Sequence, residues 1–295
     1  MADLSALPGG KSPWQSAARF GLYALLLIFA AYYILPLIVV LSTSLKDLDE
    51  IRNGTLLSLP AEINFDAWGY AWNEACIGVS CTGLKPYFWN SVAMTIPAVL
   101  ISTILGALTG YSLTKFKFKG ANLIFAMILF GCFIPFQVVL LPMAQSLGYL
   151  RIANTVPGLV LVHIVYGLPF TVLFFRNYYV NIPDDLIKAA TIDGAGFFMI
   201  FWRIMLPLSP PIIVVTIIWQ FTQIWNDFLF GASFTTGGGQ PVTVALNNLV
   251  NTTTGVKRYN VDMAAALITA APTLVVYVLA GRYFVRGLTA GSVKG

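Results

Sequence analysis

The chain has 295 residues, of which 58% are hydrophobic and only 10% are charged. Soluble domains carry about 25% charged residues, so this chain has too few ions to cover a water-facing surface. Together with a mean hydropathy of +0.79, this composition excludes an ordinary soluble protein and predicts an integral membrane protein. The net charge of +5 is modest and does not indicate nucleic-acid binding.

Six stretches of the sequence contain no Asp, Glu, Lys or Arg. A helix needs about 20 mostly apolar residues to cross ~30 Å of hydrocarbon, and each stretch meets or approaches that length. Helices also satisfy their own backbone hydrogen bonds, whereas the alternating strands of a barrel are not visible. We therefore predict an all-α membrane protein with six spans. The charge-free stretches are 20–45, 86–114, 120–150, 152–175, 204–226 and 263–281.

These stretches set the predicted boundaries. The first is longer than the apolar run of a signal peptide and no small-residue cleavage site follows it, so we interpret it as a retained anchor. The predicted spans are 20–42 and then about 88–113, 121–145, 154–175, 206–230 and 262–284, the last five lying in a core domain of 87–285. The other segments are an N-terminal segment 1–19, an outer loop 43–86, an inner loop 177–205 within the core and a tail 286–295.

Lysine and arginine are divided unevenly between the two sides. With the N-terminus inside, the inner segments hold 11 of the 17 cations. Cations accumulate in cytoplasmic loops, so both termini are predicted to face the cytoplasm. The outer cations are Lys46, Arg52, Lys85, Arg151, Lys257 and Arg258.

Two features lie in the predicted outer loops. Cys76 and Cys81 are close in sequence, and an oxidising compartment would allow a disulfide between them, although free thiols are equally consistent with the sequence. In the third outer loop, three consecutive glycines disfavour regular structure and predict a flexible tip. This tip is either a connector or a contact for a partner outside the membrane, through Gly237, Gly238, Gly239 and Gln240.

The inner loop between the fourth and fifth spans is the most informative segment. Pro183 suits the first turn of a helix, and the two aspartates after it complement the helix dipole. Ala189 and Ala190 would leave a bare face that another protein can approach closely. Asp193 and the glycine after it then break the helix, and Asp193 can cap the next one. On these grounds alone the segment is either a docking helix or an ordinary connection.

The spacing of this segment resembles the EAA loop of ABC importer permeases, roughly E-A-A-x-x-D-G-A followed by an aromatic-rich stretch ending in L-P. Lys188 replaces the leading glutamate, so the role of that glutamate is not transferred. In that family the loop forms a coupling helix that seats in a cleft of the ATPase subunit. The matching residues are Ala189, Ala190, Asp193, Gly194, Ala195, Leu206 and Pro207.

Other segments extend the resemblance. The tail is similar to that of maltose-type sugar permeases, where it reaches into the ATPase interface, and stretches 219–230 and 243–262 look closest to permeases of glucose/mannose importers. The resemblance implies a type I importer permease fold in the bacterial inner membrane. It also implies a second homologous permease, two ATPase subunits and an extracytoplasmic sugar-binding protein as partners. The tail positions are Gly291, Ser292, Val293 and Lys294.

No catalytic, metal or cofactor site is expected on this chain. Gly10-Lys11-Ser12 mimics the end of a P-loop, but Ser5 occupies the required first glycine position and Pro13 follows. The resemblance therefore implies that ATP and Mg bind to the partner ATPase, which carries out the hydrolysis.

Polar residues within the predicted spans are costly and often functional. Four of them follow helical spacing on the fifth span and would form one polar stripe, while His163 is better explained as a helix-joining residue. No cation lies deep in the spans, which favours a neutral sugar. The candidate residues for lining a translocation path are Gln137, Tyr166, Trp219, Gln220, Gln223, Asn226 and Asp227. The alternative is that these residues also join helices to one another.

Two other classes of function remain open. A secondary transporter or channel would keep the spans and the polar stripe but would not need the inner loop. A polytopic membrane enzyme would need clustered His, Asp or Glu, whereas the chain has a single histidine. Uptake driven by an ion gradient without an ATPase would favour the first alternative.

Overall fold

A computed structural model describes residues 13–116, 118–252 and 256–290 of the chain, with side chains between 18 and 281. Regular structure in these ranges is helical, which confirms the all-α prediction. The α-helices are α1 Pro13–Ser44, α2 Leu48–Asn53, α3 Asp66–Asn73, α4 Lys85–Lys115, α5 Ala121–Phe130, α6 Phe136–Tyr149, α7 Val156–Tyr179, α8 Asp184–Ile192, α9 Phe197–Ile200, α10 Pro210–Trp225, α11 Leu229–Phe234, α12 Val242–Val250 and α13 Tyr259–Ala290.

Four of these helices are long and apolar enough to cross a membrane by themselves. They comprise residues Ala18–Ser44, Lys85–Lys115, Val156–Tyr179 and Tyr259–Gly281. Two further pairs of helices pass the same test only together, because each pair is sharply bent. The described residues therefore contain four candidate spans, or six if each bent pair is one span.

The predicted span 121–145 is not one straight helix. The chain bends by 104° between residues Ala121–Phe133 and Phe136–Tyr149. Ile134 is extended there, with φ −71° and ψ 119°, since the residue before a proline is disfavoured in the helical region. Pro135 also lacks an N–H for the helical ladder, so one helix ends and another begins.

The predicted span 206–230 is also interrupted. The π-helix Phe201–Met205 follows α9, and the direction changes by 89° before α10. Two prolines occupy the first positions of α10, where a missing N–H has no cost. The helix ends at Trp225, so Asn226 and Asp227 lie beyond it and the predicted helical stripe does not extend to them.

The described residues divide into two compact units, one within 13–68 with 258–264 and the other within 69–257 with 265–290. In the first unit, the segment after α1 is held by polar contacts. Lys46 is 3% exposed, its Nζ donates to Ser58 Oγ at 2.9 Å, and its carbonyl accepts from Asn260 Nδ2 at 3.0 Å. This part of the predicted outer loop is therefore an ordered structure.

The second unit is built on the packing of α4 against α7. A Cβ on Gly106 would overlap the side chain of Thr171, and one on Gly110 would lie 2.9 Å from Phe175 Cβ. These glycines let the two backbones approach closely, as small residues do between membrane helices. Helix α10 joins the pair through Gln220 and Ser102, which places the polar residues of α10 beside α7.

Candidate functional site

A cavity of about 490 Å³ lies between α7, α10 and the turn after α10. It brings together six of the seven residues predicted to line a path: Tyr166, Trp219, Gln220, Gln223, Asn226 and Asp227. Its other lining residues are mainly aromatic or apolar: Phe136, His163, Gly167, Phe170, Ile224, Phe228, Leu229 and Phe230.

The seventh predicted residue, Gln137, does not line this cavity. It is exposed at the start of α6, whereas its neighbour Phe136 is part of the lining. Successive residues of a helix point about 100° apart, so only one of the two faces the cavity.

Ring contacts between helices position the aromatic wall. The Phe170 and Trp219 rings lie 4.5 Å apart between centroids, which joins α7 to α10. Phe230 of α11 meets Tyr166 and His163 of α7 edge-on, at 5.2 Å and 5.7 Å. Contacts among α7, α10 and α11 therefore fix the positions of these rings in the cavity wall. Proteins often bind sugars against apolar ring faces of this kind.

Gln220 joins helices and has little contact with the open cavity. It is 1% exposed, and its Nε2 donates to Ser102 Oγ on α4 at 2.7 Å. A Cβ on Gly167 would overlap its amide group. A buried polar group needs such a partner, so Gln220 fixes the spacing of α4, α7 and α10.

Asp227 caps the short helix α11. Its Oδ1 accepts from the backbone N–H of Phe230 at 3.3 Å and its Oδ2 from that of Gly231 at 3.0 Å. Acidic groups are stabilising at helix N-termini, where N–H groups lack helical partners. The Nε2 of buried His163 lies 3.7 Å from Asp227 Oδ2 and has no hydrogen-bond partner among the described residues. The Asp227 carboxylate therefore stabilises the start of α11, which contributes Phe230 to the cavity wall.

The segment predicted to couple to an ATPase forms helix α8, a turn and helix α9. Pro183 lies just before the first helical residue, so the prediction that it belongs to the first turn is wrong by one position. Lys115 of α4 ties down the start of α8, because its Nζ donates to the Ile182 carbonyl at 2.5 Å and to Asp184 Oδ1 at 2.8 Å.

The turn after α8 depends on Gly194. Its φ is +83°, a left-handed conformation that glycine adopts without the steric cost of a Cβ. Asp193 terminates α8. The predicted capping of the next helix by Asp193 is wrong, because Gly196 precedes α9 and provides no side-chain cap. A backbone hydrogen bond from Ala195 N to Ala190 O at 2.9 Å closes the turn.

The two alanines of this segment have different surroundings. Ala189 is exposed, while Ala190 is 9% exposed and packs in a cluster with Tyr179 and Phe201. Of the two alanines predicted to leave a bare face for another protein, only Ala189 is exposed. Lys188 is exposed and donates to Asp185 Oδ1 at 2.9 Å, and this bond raises the pKa of its ammonium group.

The end of the segment returns the chain to α10. Leu206 packs against the same cluster, and Pro207 is exposed in the turn that follows. Beside α8, a groove of about 520 Å³ is lined by Lys115, Phe116, Asp184, Ile187, Lys188, Thr191 and Ile192. The exposed side of α8 thus combines charged and apolar groups.

The triple-glycine segment is more ordered than predicted. Gly237–Gly239 form a 3₁₀ turn, and the Asn90 Nδ2 of α4 donates to the Gly238 carbonyl at 2.7 Å and to the Gln240 carbonyl at 3.0 Å. The expectation that these glycines lack regular structure is wrong, because they form this turn and Asn90 satisfies two carbonyls of the segment. Gly237 and Gly238 remain exposed.

Two other predicted features differ in how far the structure describes them. Cys76 and Cys81 are joined by a disulfide across an isolated β-bridge between Ile77 and Ser80. The tail positions Gly291, Ser292, Val293 and Lys294 lie outside the described residues.

Sequence reasoning missed the aromatic residues that complete the cavity. Phe170 follows Tyr166 by four residues, a spacing that places both on one helix face and that could have identified it. Phe136 and Phe230 gave no comparable signal, because their approach depends on the bend at Pro135 and on the turn at Asp227.

The sequence matches the family described as binding-protein-dependent transport system inner membrane component over residues 98–288. A probable ABC transporter permease protein of Pyrococcus horikoshii is 40% identical over 95% of this chain and 98% of its own length. A xylose/arabinose import permease protein of Haloferax volcanii is 32% identical over 92% of both chains.

A solved bacterial ABC transporter, involved in importing the acidic polysaccharide alginate, contains a chain with the same fold. The TM-score is 0.79 at 20% identity, with 92% of this chain and 98% of that chain covered. This likeness confirms the predicted type I importer permease fold. The sequence match and the two relatives, each similar along nearly the whole chain, show that this protein belongs to the family of binding-protein-dependent transport system inner membrane components.

Proposed function

We propose that this chain is the permease subunit of an ATP-driven importer of a neutral sugar, and that it forms half of the translocation pathway. The observation that carries this proposal is the α8–turn–α9 segment. It presents an exposed short helix whose position is fixed by Lys115 and whose turn requires Gly194. A short exposed helix that is tied to α4 in this way can transmit a movement of a bound partner to the spans.

The assignment of a sugar rests on relatives and on the cavity. A relative with 32% identity is named for xylose and arabinose import, and aromatic groups dominate the cavity wall. None of the described lining residues is Lys or Arg, which favours an uncharged ligand. Within the neutral sugars we propose glucose or mannose, from the resemblance of 219–230 and 243–262 to permeases for those sugars.

The proposed assembly contains a second permease, two ATPase subunits that bind ATP and Mg, and an extracytoplasmic sugar-binding protein. In this assembly α8 faces the ATPase in the cytoplasm, and the triple-glycine segment faces the binding protein. Closure of the ATPases would move the coupling segments and switch the access of the cavity between the two sides of the membrane. The chain itself performs no hydrolysis.

The test is a matched pair of substitutions in the coupling turn. Gly194→Leu forces a Cβ into a left-handed conformation, which costs about 1–2 kcal/mol and should distort the turn. Gly196→Leu introduces the same side chain at φ −79°, where any residue is tolerated, and nothing lies within 4 Å of either position. Both variants are expressed with the partner subunits and assayed for co-purification of the ATPase and for ATP-dependent uptake of D-glucose.

We expect Gly194→Leu to lose most ATPase co-purification and uptake while the chain still reaches the membrane. Gly196→Leu should retain clearly more of both. If the Gly194→Leu complex assembles and transports as well as the unaltered complex, the coupling assignment is wrong.

A further inference from the structure

Arg176 is a cation in the last turn of α7, at the end of this helix from which the chain continues into α8. Among the described residues, no carboxylate forms an ion pair with it. Its Nε is buried and has no hydrogen-bond partner within the described part of the chain. An arginine keeps its charge at physiological pH and carries five N–H donors. Arg176 therefore has the capacity to bind an anion.

Helix α5 holds the guanidinium of Arg176 in place. The Cζ atom lies 4.1 Å from the centroid of the Phe125 ring. This cation–π attraction uses the ring face and leaves the N–H donors available for other partners. Arg176 is also partly buried, so water screens its charge less than at a fully exposed position. Reduced screening strengthens the attraction between this charge and an anion.

Helix α5 is exposed and largely apolar on the sides that do not face α7. Ile124 and Ala126, which flank Phe125 in sequence, are exposed. Successive residues point about 100° apart, so apolar surface borders the ring contact with Arg176 on both sides. The other exposed apolar residues of this helix are Leu123, Met127 and Phe130.

The length of α5 matches one leaflet of a bilayer. Its ten residues rise about 15 Å, which is half of the ~30 Å of hydrocarbon in a bilayer. One acyl chain of a phospholipid therefore fits α5 in both length and polarity.

A second cation lies at the start of α5. Lys119 is exposed, two residues before the first residue of the helix. It forms no ion pair with a carboxylate of the described residues. Phe125 lies four residues into α5, about 6 Å of helix rise, so Lys119 and Arg176 lie at the same end of this helix. Basic surfaces between spanning helices bind anionic lipid headgroups, and these two cations indicate such a surface.

We infer that the surface where the start of α5 meets the end of α7 binds one anionic phospholipid. The Arg176 guanidinium donates to the headgroup phosphate, Lys119 adds positive charge beside it, and an acyl chain lies along α5. Phe125 is a positioning residue, because its ring holds the guanidinium. The proposed function assigns this side of the protein to the cytoplasm, but the lipid contact itself requires neither ATP nor sugar.

The test uses the complex of permeases and ATPases in phosphatidylcholine nanodiscs. Each sample contains a trace of phosphatidylglycerol or of phosphatidylcholine with the same photoactivatable acyl chain, and crosslinks to the α5 peptide are quantified by mass spectrometry. Unlabelled phosphatidylglycerol and inorganic phosphate serve as competitors. The site variants are Arg176→Gln, Arg176→Lys and Phe125→Leu. The control is Arg203→Gln, which alters an exposed arginine of the π-helix after α9.

We expect the phosphatidylglycerol probe to label α5 more strongly than the phosphatidylcholine probe, with competition by unlabelled phosphatidylglycerol and none by inorganic phosphate. Arg176→Gln should lower this labelling about tenfold, the change expected from losing a charge-assisted hydrogen bond to phosphate. Arg176→Lys keeps the charge but not the planar fork and should give an intermediate value. Phe125→Leu should lower labelling about threefold through loss of the cation–π contact, and Arg203→Gln should label like the unaltered complex.

Several outcomes would overturn the lipid site. Equal labelling of Arg176→Gln and Arg203→Gln would exclude the headgroup contact, and equal labelling by the two lipids would exclude the anionic class. Competition by inorganic phosphate would identify a site for free phosphate. No label on α5 would show that a partner subunit covers this helix.

Two safeguards keep the result interpretable. If Arg176→Gln fails to assemble, Arg176→Lys and Phe125→Leu decide the outcome, and unaltered labelling of both overturns the site. Normal lipid labelling without ATP-dependent uptake would count against the proposed function and would leave the lipid site supported.

Discussion

Replacing Asp227 with alanine should destabilise the protein without removing a ligand contact. The change leaves the N–H groups of Phe230 and Gly231 without their acceptors at 3.3 Å and 3.0 Å. Losing a helix cap costs about 0.5–2 kcal/mol, and leaving buried donors unsatisfied costs about 1–3 kcal/mol. These overlapping contributions give about 1–3 kcal/mol, which corresponds to a fall in Tm of roughly 2–10 °C for a chain of this size.

The assay is thermal unfolding of the purified complex in nanodiscs, followed by tryptophan fluorescence. Asp227→Asn keeps one acceptor oxygen and should fall between the alanine variant and the unaltered protein. Asp185→Ala removes an exposed carboxylate paired with Lys188 and should leave Tm unchanged. An unchanged Tm for Asp227→Ala, combined with lost sugar binding, would refute the capping role and make Asp227 a ligand group.

Three further predictions concern the scaffold. Gly106→Val should severely lower the yield of folded protein, because the valine side chain would collide with Thr171 of α7. Gly148→Val should be tolerated, because nothing lies within 4 Å of that position. Equal yields of the two variants would contradict the close packing of α4 against α7. Asn90→Ala should speed hydrogen exchange in the triple-glycine segment, and unchanged exchange would show that its hydrogen bonds do not order this segment. Lys115→Gln should weaken ATPase co-purification more than Lys119→Gln does, and the reverse order would argue against a role in positioning α8.

The spans were largely predictable because the hydrocarbon of the bilayer disfavours charged side chains along the whole length of a spanning helix. A charge-free run of about 20 residues needs no knowledge of its neighbours. The breaks were not predictable by the same means. Pro97 and Pro169 lie inside continuous helices, whereas Pro135 marks a bend of 104°. Neighbouring helices can compensate the missing hydrogen bond at one proline and not at another, and the sequence alone does not distinguish the cases.

The candidate site was predicted in part for a related reason. The residues Gln220 and Gln223 share a helix face, so their spacing placed them together. Asp227 has the same spacing, yet α10 ends at Trp225 and the Asp227 carboxylate accepts a hydrogen bond from α11. Phe230 reaches the cavity only through that turn. Contacts that depend on where a helix ends or bends are set by tertiary structure, and periodicity cannot show them.

The most direct test of the central claim is sugar uptake by proteoliposomes that contain this chain with or without its ATPase partners. We expect D-glucose to enter only when the partner permease, both ATPase subunits, the binding protein and ATP are all present, and an imposed proton or sodium gradient to have no effect. Uptake by the chain without the ATPases, driven by such a gradient, would contradict it and would identify a secondary transporter.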